Sequence, residues 1–286
     1  MNFPNFIVAG VAKCGTSSLC NYLNLHPDVF MTKPKELNFF GREGVENKLE
    51  AYGKHFEGSE GKIAGEGSVS YMLYSKLAAQ QIKTYIPNVK LIVMLRNPLD
   101  RFYSDFWYNV NRGAVVYQKG LFEGVIDNTI RVNDSKARKM SYRESLISKG
   151  DYATHLKDYF KHINRDQIKI IFFEDFKKDR QAVLDSVFEF IGVKNANIEV
   201  PNKIYNKTMY PGKLNFVYTT WKKIKPLLPQ KWMLKHKSTL IKLKSTFFSD
   251  KKPKFDKNSR SKLLAIYKDS IHELELMLDK DLSHWK

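Results

Sequence analysis

The stretch "FIVAGVAKCGTSSLCNYLNLHP", residues 6 to 27, constrains this chain more than any other. Asn5 to Gly10 is an apolar run without polar alternation, the pattern of a strand buried on both faces of a parallel sheet. Thr16 to His26 then carries a helical period, with Leu19, Tyr22, Leu23 and His26 on one side, and the His26-Pro27 step ends it. A strand that passes through a small-residue loop straight into a helix leaves N–H groups and a positive dipole end at the helix start, where an anion binds. A nucleoside-triphosphate loop would read G-x-x-x-x-G-K-[ST]. Gly10 and Gly15 keep that spacing, but Thr16 stands where the lysine belongs and Lys13 lies inside the loop. Gly15, Thr16, Ser17 and Ser18 are small enough for close approach, and three of them bring hydroxyls. A plain tight strand-to-helix turn would use the same residue types, so this stretch leaves both readings open.

Further along, "VKLIVML" (89–95) is the clearest buried strand. Pro98 suits the first turn of a following helix, which runs to about Asn111 and stops at Gly113. Val29–Met31 and Ile168–Phe173 read as strands. Asp151–Ile163, Phe176–Ile191 and Lys257–Leu278 read as helices with apolar stripes, and 113–140 reads as irregular. Strands alternating with helices predict an α/β, three-layer fold with a central, mainly parallel sheet flanked by helices. Ligands in such sheets sit beyond the carboxyl ends of the strands. The length of 286 residues favours a single domain over 1–286.

The net charge is +18, and it is unevenly spread. From Asn202 to Lys262 there are 17 Lys/Arg against two acids, Asp250 and Asp256. An insert at about 213–250 mixes Trp221, Trp232 and Phe247 with lysines and is broken by Pro226 and Pro229. An anionic glycan or an anionic membrane surface is the partner expected for residues 213–257, with a merely solvated lysine face as the alternative. Nucleic acid is not expected, because no helix-turn-helix or zinc-finger pattern accompanies the charge. No run of 18 apolar residues occurs, so a membrane span is not expected. With no basic-then-apolar leader, the cytoplasm is the expected location, peripheral to the inner membrane surface if the basic region acts there. Cys14 and Cys20 fit a reducing compartment and have no metal-ligand spacing, and no metal site is expected.

"LRNPLDRFYSDF" sets Arg96 just past the central strand and Ser104 two turns into the next helix, a guanidinium and a hydroxyl suited to a phosphate. "KPKELNFF" offers Glu36 between nearby lysines, either a general base or a surface carboxylate paired with Lys33 or Lys35.

Together, "GVAKCGTSSLCNYLNLHPDVF", "KELNFF", "EGSVSYML", "VKLIVMLRNPLDRFYSDFW", "IIFFEDFKKD" and the C-terminal "NSRSKLLAIYKDSIHELELMLDKDLSHW" resemble the sulfotransferases that use 3′-phosphoadenosine 5′-phosphosulfate (PAPS). The style is that of the glycan, heparan-sulfate-type branch and its bacterial relatives. The resemblance implies a P-loop-like fold and no metal. It implies that Lys13, Cys14, Gly15, Thr16, Ser17 and Ser18 cradle the 5′-phosphate, with Lys13 on the oxygen that leaves sulfur. It further implies that Arg96 and Ser104 hold the 3′-phosphate, that Lys251 and Lys252 close over the nucleotide, and that Glu36 is the base. Some glycan sulfotransferases carry a lysine where this chain has Gly67, so the acceptor side departs from the pattern; Glu66 and Ser68 there face the site or shape a turn. The expected reaction moves a sulfuryl group from PAPS to an acceptor hydroxyl on a saccharide, releasing 3′-phosphoadenosine 5′-phosphate (PAP). The alternatives are a nucleotide-dependent phosphotransferase and a non-enzymatic polyanion-binding protein.

Overall fold

The computed structural model describes residues 2–112, 114–115, 118–132, 140–194, 198, 200, 210–211, 248–249 and 253–286, with backbone alone at 210–211 and 248–249. Gly113, Lys251, Lys252 and the insert at 213–250, apart from the backbone of its last two strand residues, lie outside the described residues.

Two compact units can be distinguished, one from residues 1–102, 147–206 and 264–286 and the other from 103–146 and 207–263. The first contains a five-stranded sheet: β1 (Phe6–Gly10), β2 (Val29–Met31), β3 (Ile63–Glu66), β4 (Lys90–Leu95) and β5 (Ile168–Phe172). Every pairing is parallel and the order is β2-β3-β1-β4-β5. β1 is buried at all five positions and β4 at five of six, as expected for strands covered on both faces. The predicted α/β sheet flanked by helices is therefore the observed one.

Chain direction assigns the helices to faces. From β1 the chain moves one way to β2 through α1 (Thr16–Leu23), and from β3 it moves the other way to β4 through α3 (Ser70–Leu73) and α4 (Ser75–Tyr85). Right-handed crossovers in opposite directions put α1 on one face and α3 and α4 on the other. Packing follows that division. Tyr22 and His26 meet Phe176 and Phe188 of α9 (Phe173–Lys178) and α10 (Arg180–Ile191), while Ser75 of α4 bonds to His155 and Asp158 of α8 (Tyr152–Phe160). A short helix, α2 (Leu49–Gly53), fills the β2-to-β3 connection.

Several elements differ from the expectation. The first helix is α-helical only to Leu23, and tighter i→i−3 bonds carry the chain to His26. The expected helix over 176–191 is two helices, because the Asp179 carboxylate accepts from Ala182 N–H at 2.9 Å and caps α10. β3 was not anticipated: Gly65 interrupts its apolar pattern. That glycine is required, since a Cβ there would lie 2.2 Å from the Phe6 ring.

In the second unit, Tyr103 of α5 (Pro98–Arg112) stacks on Phe255 at 4.9 Å and donates its hydroxyl to Pro253 O at 2.7 Å. α6 (Leu121–Ile126) adds Phe122 edge-on to Tyr103, and Asp127 pairs with Lys262 of α11 (Lys257–Leu278) at 2.7 Å. α7 (Tyr142–Ser148) begins here, and β6 (Tyr210–Pro211) pairs antiparallel with β7 (Phe248–Ser249). Among the described residues no helix is long and apolar enough to cross a membrane.

Candidate active site

The strand order reverses direction between β1 and β4, and the crevice beyond their carboxyl ends is the place where a ligand fits in this class of sheet. The loop after β1 occupies one side. Val11 N–H donates to Met94 O at 2.9 Å and Cys14 N–H to Val11 O at 3.2 Å, tying the loop to β4 and to itself. Gly15, with φ 95°, turns the chain into α1 in the left-handed region that glycine accepts without a Cβ penalty. A Cβ at Gly15 would stand 3.1 Å from the Phe173 ring. Lys13 is also left-handed, at φ 73°, a conformation costly for a side-chain-bearing residue.

Among the described residues no side chain caps α1, and no acidic residue lies in its first turn. The opening N–H groups and the Thr16, Ser17 and Ser18 hydroxyls are thus grouped at an electropositive helix start. Cys14 is different in kind: its thiol is buried, and burial pushes its pKa up to about 12. It contributes to the turn and not as a thiolate.

Arg96 occupies the other side of the crevice. Its Nη1 donates to Lys13 O at 3.1 Å and its guanidinium lies over the Phe173 ring, 4.8 Å from the centroid. Tyr152 donates its hydroxyl to Arg96 O at 2.8 Å. Asn97 N–H donates to Glu174 at 3.1 Å, and Asn97 Nδ2 donates to Trp285 O at 3.2 Å, so the backbone around Arg96 is braced from α8, α9 and the C-terminal turn. Lys13, Gly15 and Arg96 therefore share one place through Phe173 and the Lys13 carbonyl. Ser104 lies in α5, largely buried within the second unit. An uncapped helix start beside a braced guanidinium suits a ligand with phosphate groups, so the first-unit residues fit a nucleotide of the PAPS type.

Glu36 follows β2. Lys35 Nζ contacts Glu36 Oε1 at 2.6 Å and also donates to Gly67 O at 3.0 Å, while Gly67 N–H donates back to Lys35 O at 2.7 Å. The side chain of Glu36 is 40% exposed. Cys20, one turn into α1, feels the charges of Lys35, Glu36 and Glu66, which puts this group beside the helix that starts at the loop. Gly67 must remain small, because a Cβ would lie 2.7 Å from Cys20 Sγ. Cys14 and Cys20 are both free, buried thiols.

Glu66, at the end of β3, is wholly buried and accepts from the hydroxyls of Ser68, Tyr71 and Tyr52, with Leu37 N–H nearby. Burial pushes its carboxyl pKa upward, against the pull of those four donors. Sequence reading named Lys35 as a pairing partner of Glu36 and missed Tyr71, Tyr52 and Phe173 as parts of this arrangement. For Glu66 and Ser68 the signal was the resemblance of the segment "EGSVSYML" to the family.

Comparisons with known proteins place the chain in a family. The family model described as "Sulfotransferase domain" matches residues 3–277. The chain belongs to the sulfotransferase domain family. A crystal structure of a sulfotransferase from Alicyclobacillus acidocaldarius aligns over 100% of this chain and 99% of its own, with a TM-score of 0.70 and 25% identity. The bifunctional heparan sulfate N-deacetylase/N-sulfotransferase 1 of Xenopus tropicalis is 26% identical over 97% of this chain and 30% of its own length. The Homo sapiens protein of the same name is 27% identical over 68% of this chain and 22% of its own. The chain thus spans less than a third of these curated relatives.

Proposed function

We propose that this chain transfers a sulfuryl group from PAPS to a nucleophile on a saccharide. The observation that carries the reading is the Arg96 guanidinium, set over Phe173 and tied to the Lys13 carbonyl, beside the uncapped start of α1. The heparan sulfate N-sulfotransferases among its relatives support a saccharide acceptor, and their names widen the acceptor atom from a hydroxyl to an amino group. The match over 3–277 supports a single catalytic domain.

PAPS, when bound, supplies an electrophilic sulfur and a phosphate leaving group. The N–H groups at the start of α1 and the hydroxyls of Thr16, Ser17 and Ser18 bind the 5′-phosphate, with Cys14 shaping the turn. Lys13 stands by the oxygen on which charge grows, an interaction stronger in the transition state than in the ground state. Arg96 holds the 3′-phosphate, and Ser104 joins it on the strength of sequence spacing. Lys251 and Lys252 are assigned to the nucleotide by resemblance alone. Glu36 takes the acceptor proton. Lys35 engages its Oε1, which leaves Oε2 for the proton among the described residues.

Two free buried thiols support a reducing, cytoplasmic setting. The lysine excess of 213–257 supports contact with a polyanionic glycan or an anionic membrane surface.

Calorimetric titration with PAP, in metal-free buffer, tests the donor assignment. Tight binding to wild type that weakens in Arg96→Ala is expected; no binding to wild type would overturn the reading. Magnesium-dependent ATP turnover would identify a phosphotransferase instead. Salt-sensitive heparin binding without PAP affinity would identify a polyanion-binding protein.

A further inference from the structure

Three consecutive backbone N–H groups follow Glu36, and all three converge on one carboxylate. Leu37 N–H lies near enough to Glu66 to favour its charged form. Asn38 N–H donates to Ser68 Oγ at 2.8 Å, and the same hydroxyl donates onward to Glu66 Oε2. Phe39 N–H donates to the Tyr71 hydroxyl at 3.0 Å, which donates onward to Glu66 Oε1 at 2.5 Å. Tyr52 adds a fourth donor to Oε1 at 3.1 Å. Each relay hydroxyl accepts one N–H and has one proton to give, and the Glu66 carboxylate oxygens stand where those protons are received. Ser70 Oγ donates to Asn38 Oδ1 at 2.6 Å, and Asn38 Nδ2 donates to Glu36 O at 3.3 Å, closing the link to Glu36.

We infer that Glu66 is a positioning residue: through Leu37, Ser68 and Tyr71 it fixes the backbone next to Glu36 and so sets where the Glu36 carboxylate points. This rests on the reading of Glu36 as the base. Glu36 itself is partly exposed and, among the described residues, held by one ion pair, which is too little to immobilise a carboxylate. The rigidity comes from the buried node behind it, whose charge-assisted hydrogen bonds lie out of water's reach. Turnover depends steeply on such placement, since a shift of about 1 Å can cost on the order of 100-fold.

The test is amide hydrogen exchange by NMR on the full chain, read residue by residue. Glu66→Gln is expected to speed exchange of the Leu37, Asn38 and Phe39 amides at least about tenfold while PAP affinity stays within about twofold. The single-relay variants separate positioning from general loosening. Ser68→Ala should expose chiefly Asn38, and Tyr71→Phe chiefly Phe39; equal acceleration of all three amides in either would overturn the proposal. Unchanged protection in Glu66→Gln would also overturn it. If Glu66→Gln fails to fold, the two relay variants decide alone.

PAPS turnover with N-desulfated heparin as acceptor adds a second readout. Glu66→Gln should lower kcat about 10- to 100-fold with little change in KM for PAPS, and should cost nothing further in a Glu36→Gln background. Full multiplication of the two effects would overturn the link to Glu36. Absence of PAP binding by wild type would sink the sulfotransferase reading itself, and the exchange pattern would still decide whether Glu66 holds residues 37–39.

Discussion

Arg96 Nη1 donates to the Lys13 carbonyl at 3.1 Å, so the cation at the end of β4 holds the backbone of the cation in the loop after β1. In the proposed function Arg96 therefore serves binding and lysine placement together. Arg96→Ala is expected to weaken PAP binding about 10- to 100-fold, the range of a lost charge-assisted hydrogen bond. It should also lower kcat at saturating PAPS, because Lys13 loses its tether. Calorimetry and steady-state kinetics on one preparation check both effects; a change in KM alone would show that the tether has no catalytic consequence.

Lys13 combines a functional side chain with a costly left-handed backbone at φ 73°. Its side-chain and backbone contributions separate in two variants. Lys13→Ala and Lys13→Gly should both lose turnover about 100- to 1,000-fold, as for removal of one transition-state donor. Lys13→Gly should nonetheless be more stable than Lys13→Ala by about 1 kcal/mol, because glycine adopts this conformation freely. Thermal denaturation of the pair reads that difference.

Gly15 has no such substitute. Gly15→Ala combines φ 95° with a Cβ 3.1 Å from the Phe173 ring, the ring that also supports Arg96. A loss of about 1–3 kcal/mol in unfolding free energy is expected, together with weaker PAP binding as Phe173 shifts. Urea denaturation and calorimetry measure the two.

Glu36 offers the reverse combination of effects. Glu36→Gln removes a partly exposed ion pair with Lys35, so stability should change by less than about 1 kcal/mol. Turnover should fall about 100- to 10,000-fold if its carboxylate accepts the acceptor proton. Normal kcat in a folded Glu36→Gln protein would remove it from the chemistry.

Stability should depend on pH through His155. Burial lowers its pKa below the ordinary value of 6.5, outweighing the Ser148 carbonyl and the Asp151 and Asp158 carboxylates, which favour the charged ring, while Arg101 adds to the lowering. Its ring bonds to Ser75 Oγ at 3.0 Å and to Ser148 O at 2.8 Å. The unfolded chain therefore binds a proton at higher pH than the folded one. The contribution is fully present above about pH 6.5 and is lost as pH falls from there through the lowered folded value. Urea midpoints between pH 5 and 8 should rise with pH, and the difference between wild type and His155→Gln should narrow toward the acid side.

Local pattern was enough for much of the site. The strand, small-residue loop and helix over 6–23, the buried run at 90–95 and the position of Arg96 just beyond it all follow from short-range periodicity, which burial imposes along the chain itself. Asp179 was missed because a cap inside an otherwise continuous apolar period interrupts the helix without interrupting the pattern. β3 was missed because Gly65 breaks its short apolar run, and the reason for that glycine, the Phe6 ring, lies elsewhere in the chain.

The sequence by itself determined the class of sheet, the small-residue loop with its displaced lysine between strand and helix, and the family resemblance, because each is written in contiguous residues. Tertiary structure alone decided that Arg96 braces Lys13, that Phe173 supports both Arg96 and the turn at Gly15, and that Glu66 collects the N–H groups of residues 37–39. Those partners are separated by roughly 30 to 160 positions in the chain. They meet only where parallel strands bring their carboxyl ends together in register, a non-local pairing that no local period records.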